Sequence, residues 1–305
     1  MHGTPLAIGV DIGGSNLRVA LVAGDGSLTA RSSERIGTDP DAVVARIRDL
    51  CLGLRSSAVT AIGIGVPGRV DGIRRTVLSG GYVDLSSSRI VERVEDAVGL
   101  PVAIDNDCNM ALVAEMAVGA ARNRDDVVMF TIGTGIGGAV ALGGRIVRGT
   151  ATAGQLGHLT VSQGGEPCNC GRRGCVETTS SGTALGRHVR EAGLPPETRV
   201  EDLIQAASRG DARCGEVLLR WVGPLRSAID SMVAAVSPEL VLLGGGLGGA
   251  AHRALAGAPA VSPWYRCPVG AAQLGDDAGV IGSGLAAARA AGADGGPAVS
   301  GKPAP

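Results

Sequence analysis

The order His158-x9-Cys168-x-Cys170-x4-Cys175 sets three thiols and one imidazole in a short span of chain. Deprotonated sulfur and neutral imidazole nitrogen are donors that zinc prefers, and four of them close a tetrahedral shell with no position left for a substrate water. The chemistry predicted is therefore structural rather than catalytic. Gly171 and Gly174 permit the bend that turns Cys170 and Cys175 toward one point. Buried free thiols or a disulfide are the competing reading for a lone cysteine. Three cysteines within eight residues, flanked by glycine and preceded by histidine, favour the metal. Cys51, Cys108, Cys214 and Cys267 are scattered and read as packing residues.

Two glycine turns offer a different chemistry. In Asp11-Ile12-Gly13-Gly14-Ser15-Asn16 the bare positions 13 and 14 let backbone amides approach phosphate oxygens, and the Asp can hold a hydrated Mg²⁺ beside them. A plain strand turn has the same composition. The second turn, Thr131-Ile132-Gly133-Thr134-Gly135-Ile136-Gly137-Gly138, adds a hydroxyl at its centre, suited to the outer phosphates of a nucleotide. Neither ends in the Lys-Ser/Thr of a Walker loop, which disfavours the P-loop fold. A third turn, Gly244-Gly245-Gly246, follows the apolar run Leu240–Leu243. In Ile104-Asp105-Asn106-Asp107 the last carboxylate stands where a strand meets a helix, a position that also favours Asp as an N-cap.

These residues need elements to position them. Leu6–Val10 and Asn16–Val22 read as two strands flanking the first turn, and Val127–Ile132 with Ala139–Leu142 as two flanking the second. Further strands are expected at Val59–Val66, Val102–Ile104 and Leu240–Leu243. Helical spacing covers Asp41–Leu54, Ile90–Val98, Asn109–Arg122, Thr183–Ala192, Val200–Ser208, Ala212–Val236 and Ala278–Ala291. A strand-turn-strand plan that recurs near residue 130 predicts two domains, 1–120 and 121–291, with the final helix able to pack back on the first. The stretch 292–305, rich in Gly, Ala and Pro, is expected to be a mobile tail.

Composition narrows the function. Lys plus Arg total 28 against 29 Asp plus Glu, so no global field draws in nucleic acid or an anionic membrane. The first residues lack a signal core and no window has the apolar length of a membrane span. An odd set of seven cysteines argues for a reducing compartment, and a cytoplasmic location is expected. Fifty glycines beside two Trp, two Tyr and one Phe indicate tight turns around an aliphatic core.

Gly157-His158, Cys168-Asn169-Cys170-Gly171 and Gly174-Cys175-Val176-Glu177 together resemble the zinc signature of the ROK family of sugar kinases and repressors. Gly63-Ile64-Gly65-Val66-Pro67-Gly68-Arg69-Val70-Asp71 resembles a segment beside the sugar in that family. The two glycine turns resemble the paired phosphate loops of the actin, hexokinase and heat-shock ATPase superfamily, and Gly244–Gly246 its adenosine-binding turn. The resemblance implies an α/β fold of two ribonuclease-H-like domains, with the loops facing each other across an interdomain cleft. It implies ATP-dependent phosphorylation of a glucose-type hexose at its 6-hydroxyl, with Asp107 as the base. Gly68, Asn106, His158 and Glu177 become sugar contacts, His158 sharing its two nitrogens between zinc and sugar. Asp11, Gly13, Gly14, Ser15, Asn16, Thr134, Gly135, Gly244, Gly245 and Gly246 become the ATP and Mg²⁺ residues. A homodimer is expected. Repressor members carry an added N-terminal helix-turn-helix. Here the first phosphate loop begins at residue 11, so DNA binding is not expected.

The sequence departs from the family pattern at two sugar positions. Gln155 stands where family kinases usually carry Glu, and Asp84-Leu85 where they carry Asn-Leu. Hydroxyls can donate to either arrangement, but an ammonium group on the sugar gains specifically from Asp84, by about tenfold or more. The aminosugar 3-amino-3-deoxyglucose (kanosamine) places its ammonium near those positions, and kanosamine kinases of antibiotic pathways are ROK-like. Kanosamine is therefore the expected substrate, with glucose and N-acetylmannosamine as alternatives.

Overall fold

The computed structural model describes residues 6–293. The chain divides into two compact units, one made by residues up to Ala114 with those from Asp277 onward, the other by Glu115–Asp276. The expected tail lies outside the described residues from 294 on.

In the first unit, strands β1 (Leu6–Ile12), β2 (Asn16–Val22) and β3 (Leu28–Arg35) are followed by helix α1 (Pro40–Leu54) and strand β4 (Val59–Val66). A two-stranded ribbon of β5 (Arg69–Asp71) and β6 (Thr76–Ser79) comes next, then α2 (Ile90–Val98), β7 (Val102–Asn106) and α3 (Asp107–Val118). The sheet order is β3-β2-β1-β4-β7, antiparallel through β1 and parallel from β1 to β7. Strand periodicity gives its two faces different textures. Ile8, Val10, Ile12, Ile62, Ile64 and Val66 join the core formed with α1 and α2. The alternate residues Ala7, Gly9, Ala61 and Gly63 are small.

The second unit repeats the plan with β8 (Val127–Ile132), β9 (Ile136–Leu142) and β10 (Arg145–Ile146). Helices α4 (Glu177–Ser180), α5 (Gly182–Glu191), α6 (Val200–Ser208) and α7 (Ala212–Val236) lead to β11 (Leu240–Gly244), α8 (Gly248–Ala254) and β12 (Val269–Ala271). Its order, β10-β9-β8-β11-β12, has the same antiparallel-then-parallel sense as the first sheet. Phe130 and Trp221 are fully buried at the centre of this core, where Trp221 Nε1 donates to the Ser181 carbonyl at 3.1 Å.

The last helix, α9 (Ala278–Ala293), packs on the small-residue face of the first sheet. A Cβ on Gly9 would collide with the Val280 carbonyl, and one on Gly63 with the Ser283 carbonyl. The small residues of both partners let backbone meet backbone, and that is why α9 belongs with the first unit although it follows the second in sequence.

Three differences from the sequence expectations have local causes. β3 is polar and mostly exposed, so no apolar alternation marks it. α3 starts two residues before the expected Asn109 because Asn106 caps it, and ends at Val118 before Gly119 rather than at Arg122. β9 begins at Ile136, so the second glycine turn is only three residues long.

Candidate active site and metal centre

The parallel strands β1, β4 and β7 end together, with Asp11 opposite Gly65 and Gly65 opposite Asp105 in the register. The carboxyl edge of a parallel sheet is where α/β folds bind ligands. Asp11 is 7% exposed, and Arg18, its register partner on β2, donates to its Oδ2 at 3.3 Å. The loop closes through the Gly13 N–H to the Asn16 carbonyl at 2.8 Å, and the Ser15 carbonyl accepts from Ile36 at 3.1 Å.

At the end of β7, Asn106 Oδ1 accepts from Cys108 N–H at 2.9 Å and from Asn109 N–H at 3.3 Å, which makes Asn106 the cap of α3. Its Nδ2 donates to the Gly68 carbonyl at 2.9 Å. Asp107, relieved of the capping role, projects from the first helical residue. Enclosure by protein raises its carboxyl above the ordinary aspartate range, opposed by the Cys108 N–H. A base with raised proton affinity suits late acceptance of a hydroxyl proton.

Gly68 has φ of +103°, and a Cβ there would strike Ser79 and Gly80. A Cβ on Gly80 would in turn strike Asp84. Asn106, Gly68, Gly80 and Asp84 are thus consecutive contacts in one cluster. Asp84 is exposed, its Oδ1 accepts from Ser86 N–H at 3.0 Å, and that bond lowers its pKa and keeps it ionised.

In the second unit, the ligand atoms of His158, Cys168, Cys170 and Cys175 lie within 4.8 Å of one another. Cys168 Sγ is 3.5 Å from His158 Nδ1, and Cys170 Sγ is 3.6 Å from Cys175 Sγ, too long for a disulfide. A tetrahedral zinc shell with Zn–S of about 2.3 Å has edges of about 3.8 Å, so donor type and spacing both fit that ion. The Arg172 N–H lowers the Cys170 thiol to about 7, whereas burial pushes Cys175 up to about 12. Unlike thiols in one cluster are what a cation must bring to a common deprotonated state.

This cluster is joined to the second glycine turn through one residue, Ile136. Glu177 Oε2 accepts from Ile136 N–H at 2.9 Å. Gly157, next to His158, lies so close to the Ile136 carbonyl that a Cβ would overlap it. The turn itself is braced by α5: Gly182 N–H donates to the Gly133 carbonyl at 2.8 Å, and Thr183 Oγ1 to the Thr134 carbonyl at 2.8 Å. The Gly244–Gly246 turn reaches the same sheet end, Leu247 N–H donating to the Ile132 carbonyl at 2.9 Å. Gly245, at φ of +75°, is bare because Ile132 leaves no room for a Cβ. Gly14, Gly133 and Gly246 differ: open space surrounds each and none has positive φ, so the fold itself does not require glycine there. A cavity of about 410 Å³ lined by Thr134, Gly135, Cys168, Glu177 and Thr183 opens beside this turn.

The structure therefore gathers Gly68, Asp84, Asn106 and Asp107 in the first unit, and His158, Glu177, Thr134 and Gly135 in the second. Gln155 leads into the short turn Leu156–His158. Sequence reasoning missed Arg18, Ile136 and Thr183. Only Arg18 had a signal, since an alternating strand places it opposite Asp11.

Two glycine-turned sheets of identical strand order define the actin- and hexokinase-like ATPase class. Within it the chain belongs to the ROK family, whose model matches residues 7–290. It is similar to a glucokinase of Thermotoga maritima, 33% identical over 260 residues that cover 79% of this chain and 81% of that protein. An N-acetylmannosamine kinase of Yersinia pestis is 30% identical over 91% of this chain and 97% of its own length. A crystal structure of a ROK family glucokinase from Streptomyces griseus, in complex with glucose and AMPPNP, superposes with a TM-score of 0.79 at 29% identity, covering 93% of this chain and 99% of that one.

Proposed function

We propose that the chain is an ATP-dependent kinase that phosphorylates a glucose-type hexose at its 6-hydroxyl, and that its preferred acceptor is an aminosugar, kanosamine, as made in antibiotic pathways. The observation that carries the kinase reading is the end of β7, where Asn106 takes over the helix cap and leaves a carboxyl of raised proton affinity at Asp107. Phosphoryl transfer requires a positioned hydroxyl, an acceptor for its proton and neutralised phosphate oxygens. Asp107 accepts the proton, and Asn106 with the Gly68 loop orients the sugar. The amides of Gly13, Gly14, Thr134 and Gly135 neutralise phosphate oxygens. Asp11 would hold a hydrated Mg²⁺, which would supply positive charge to the phosphate oxygens. His158, Cys168, Cys170 and Cys175 would hold zinc, which fixes the segment carrying His158 and Glu177.

The aminosugar reading rests on the ionised Asp84 in one cluster with Asn106. The Thermotoga maritima and Streptomyces griseus relatives, both named glucokinases, favour glucose as the second reading, and the Yersinia pestis relative N-acetylmannosamine. A homodimer is expected from the family and is checked by sedimentation. An assay of ADP release across kanosamine, glucose, glucosamine, mannose and N-acetylmannosamine tests the proposal. Highest kcat/KM on kanosamine is expected. Preference for glucose at pH 7 would overturn the aminosugar reading alone, and no ADP release on any sugar would make the chain a sugar sensor.

A further inference from the structure

Beside Asn106 and Asp107, at the end of β7, stands a third polar residue, Asp105, which is only 2% exposed. Its Oδ1 accepts from the Asn106 N–H at 2.7 Å and from Asn109 Nδ2, in the first turn of α3, at 2.8 Å. One carboxylate oxygen therefore ties the end of the strand to the start of the helix. Burying a carboxylate is costly unless its oxygens are hydrogen-bonded, and an apolar residue would fill a buried strand position without that cost.

Asn109 carries the same signature. It is buried, and its Oδ1 has no hydrogen-bond partner among the described residues. An unpaired buried acceptor destabilises the fold, so packing alone would favour an apolar side chain at this position. Only the donor end of an amide can face a carboxylate oxygen. Asp105 thus fixes which way the Asn109 amide points, and the bond between them is kept although the other end of the amide goes unpaired.

Asp107 lies between two anchored peptides. Asp105 holds the Asn106 N–H on one side, and Asn106 Oδ1 holds the Cys108 N–H on the other. The neighbouring strand closes in as well: a Cβ on Gly65, which pairs with Asp105 in the register, would come to 3.1 Å from Ser283 Oγ and 3.5 Å from the Asp107 Cα. We propose that Asp105 is a positioning residue for phosphoryl transfer, which with Asn109 fixes the start of α3 so that the Asp107 carboxyl meets the acceptor hydroxyl. Asp105 has this role only if Asp107 is the base. Misplacing a reacting group by about 1 Å costs about a hundredfold in rate.

The test is steady-state kinetics of the full chain with ATP, Mg²⁺ and the sugar that the parent turns over fastest, with active sites counted by AMPPNP binding and folding followed by melting temperature. Asp105→Ala should lower kcat per site by about thirtyfold to a hundredfold while KM for ATP stays within about twofold. Asn109→Ala leaves the bond to Asn106 in place, should lower kcat about tenfold, and serves where Asp105→Ala does not fold. Asp105→Asn retains an oxygen for the Asn106 N–H and should bring kcat back to within about fivefold of the parent. Parental kcat per site in the alanine variants, with only melting temperature or site count lowered, makes the pair structural and overturns the proposal. A loss in Asp105→Asn as large as in Asp105→Ala overturns it too. Failure of the base assignment is seen separately, as turnover retained in Asp107→Asn.

Discussion

The two glycine turns leave equivalent strands of two like-ordered sheets, yet distant residues hold them to different extents. The first is closed mainly by its own hairpin, Gly13 to Asn16 and Arg18 to Asp11, with Ile36 N–H on the Ser15 carbonyl as a tie from beyond β3. The second also closes on itself, Gly133 N–H to the Gly135 carbonyl, but is held in addition from far along the chain, by Glu177 on the Ile136 amide and by Gly182 and Thr183 on the carbonyls of the turn. A turn closed locally keeps its shape when distant residues change. One braced from the segment of the Cys/His cluster inherits that segment's stability.

The largest effect expected concerns Asp107 of the first unit, the proposed base. Asp107→Asn keeps shape but removes the proton acceptor, so kcat should fall by about a thousandfold or more with sugar affinity nearly unchanged. The raised carboxyl pKa has a signed consequence: the base must be ionised, so kcat/KM should fall as pH drops through a limb above the ordinary aspartate range. Turnover within threefold of the parent, or a limb at an unperturbed aspartate value, would remove Asp107 from that role.

Next comes the metal segment. Cys170→Ser should lower zinc from about one ion per chain and reduce the melting temperature by about 10 °C, because ligand binding to the native site is folding free energy. If the second turn depends on that segment, KM for ATP should rise in the same variant. Zinc-free protein of parental stability would contradict the assignment. The brace can also be cut without touching a ligand. Glu177→Ala leaves the Ile136 amide unpaired, at a cost of about 1–3 kcal/mol, and should raise KM for ATP about tenfold at near-parental zinc content. A rise in sugar KM alone would mean that Glu177 serves the sugar and not the turn.

The smallest effect separates the sugars. Asp84→Asn should lower kcat/KM on kanosamine about tenfold while sparing glucose, because only the charged acceptor loses an ionic partner. Its exposure to solvent keeps the expected effect at the lower end. Equal losses on both sugars would show that Asp84 only shapes the loop beside Gly80.

Much of the chemistry is legible in the order of residues alone. The proposed zinc donors, the proposed phosphate glycines and the Asn106-Asp107 pair are adjacent or near-adjacent in the chain, so their spacing exposes them. The buried strands are legible as apolar runs, whereas β3, α8 and β12 are not: a polar edge, a Gly-rich turn of helix and a three-residue strand carry no periodic signal.

Sequence by itself determined which donors exist: a thiol-rich metal set, two bare turns and a carboxylate at a helix start. Tertiary structure decided what each one does. It made Asn106 rather than Asp107 the cap, gave Glu177 the Ile136 amide, set Asp84 in one cluster with Asn106, and placed α9 against the first sheet. It also separated glycines that the backbone needs, such as Gly68 and Gly245, from those such as Gly14 and Gly133 around which space is left open. The reason is physical: spacing along the chain encodes local geometry, but hydrogen bonds and close approaches between segments tens to hundreds of residues apart depend on packing, which no local pattern records.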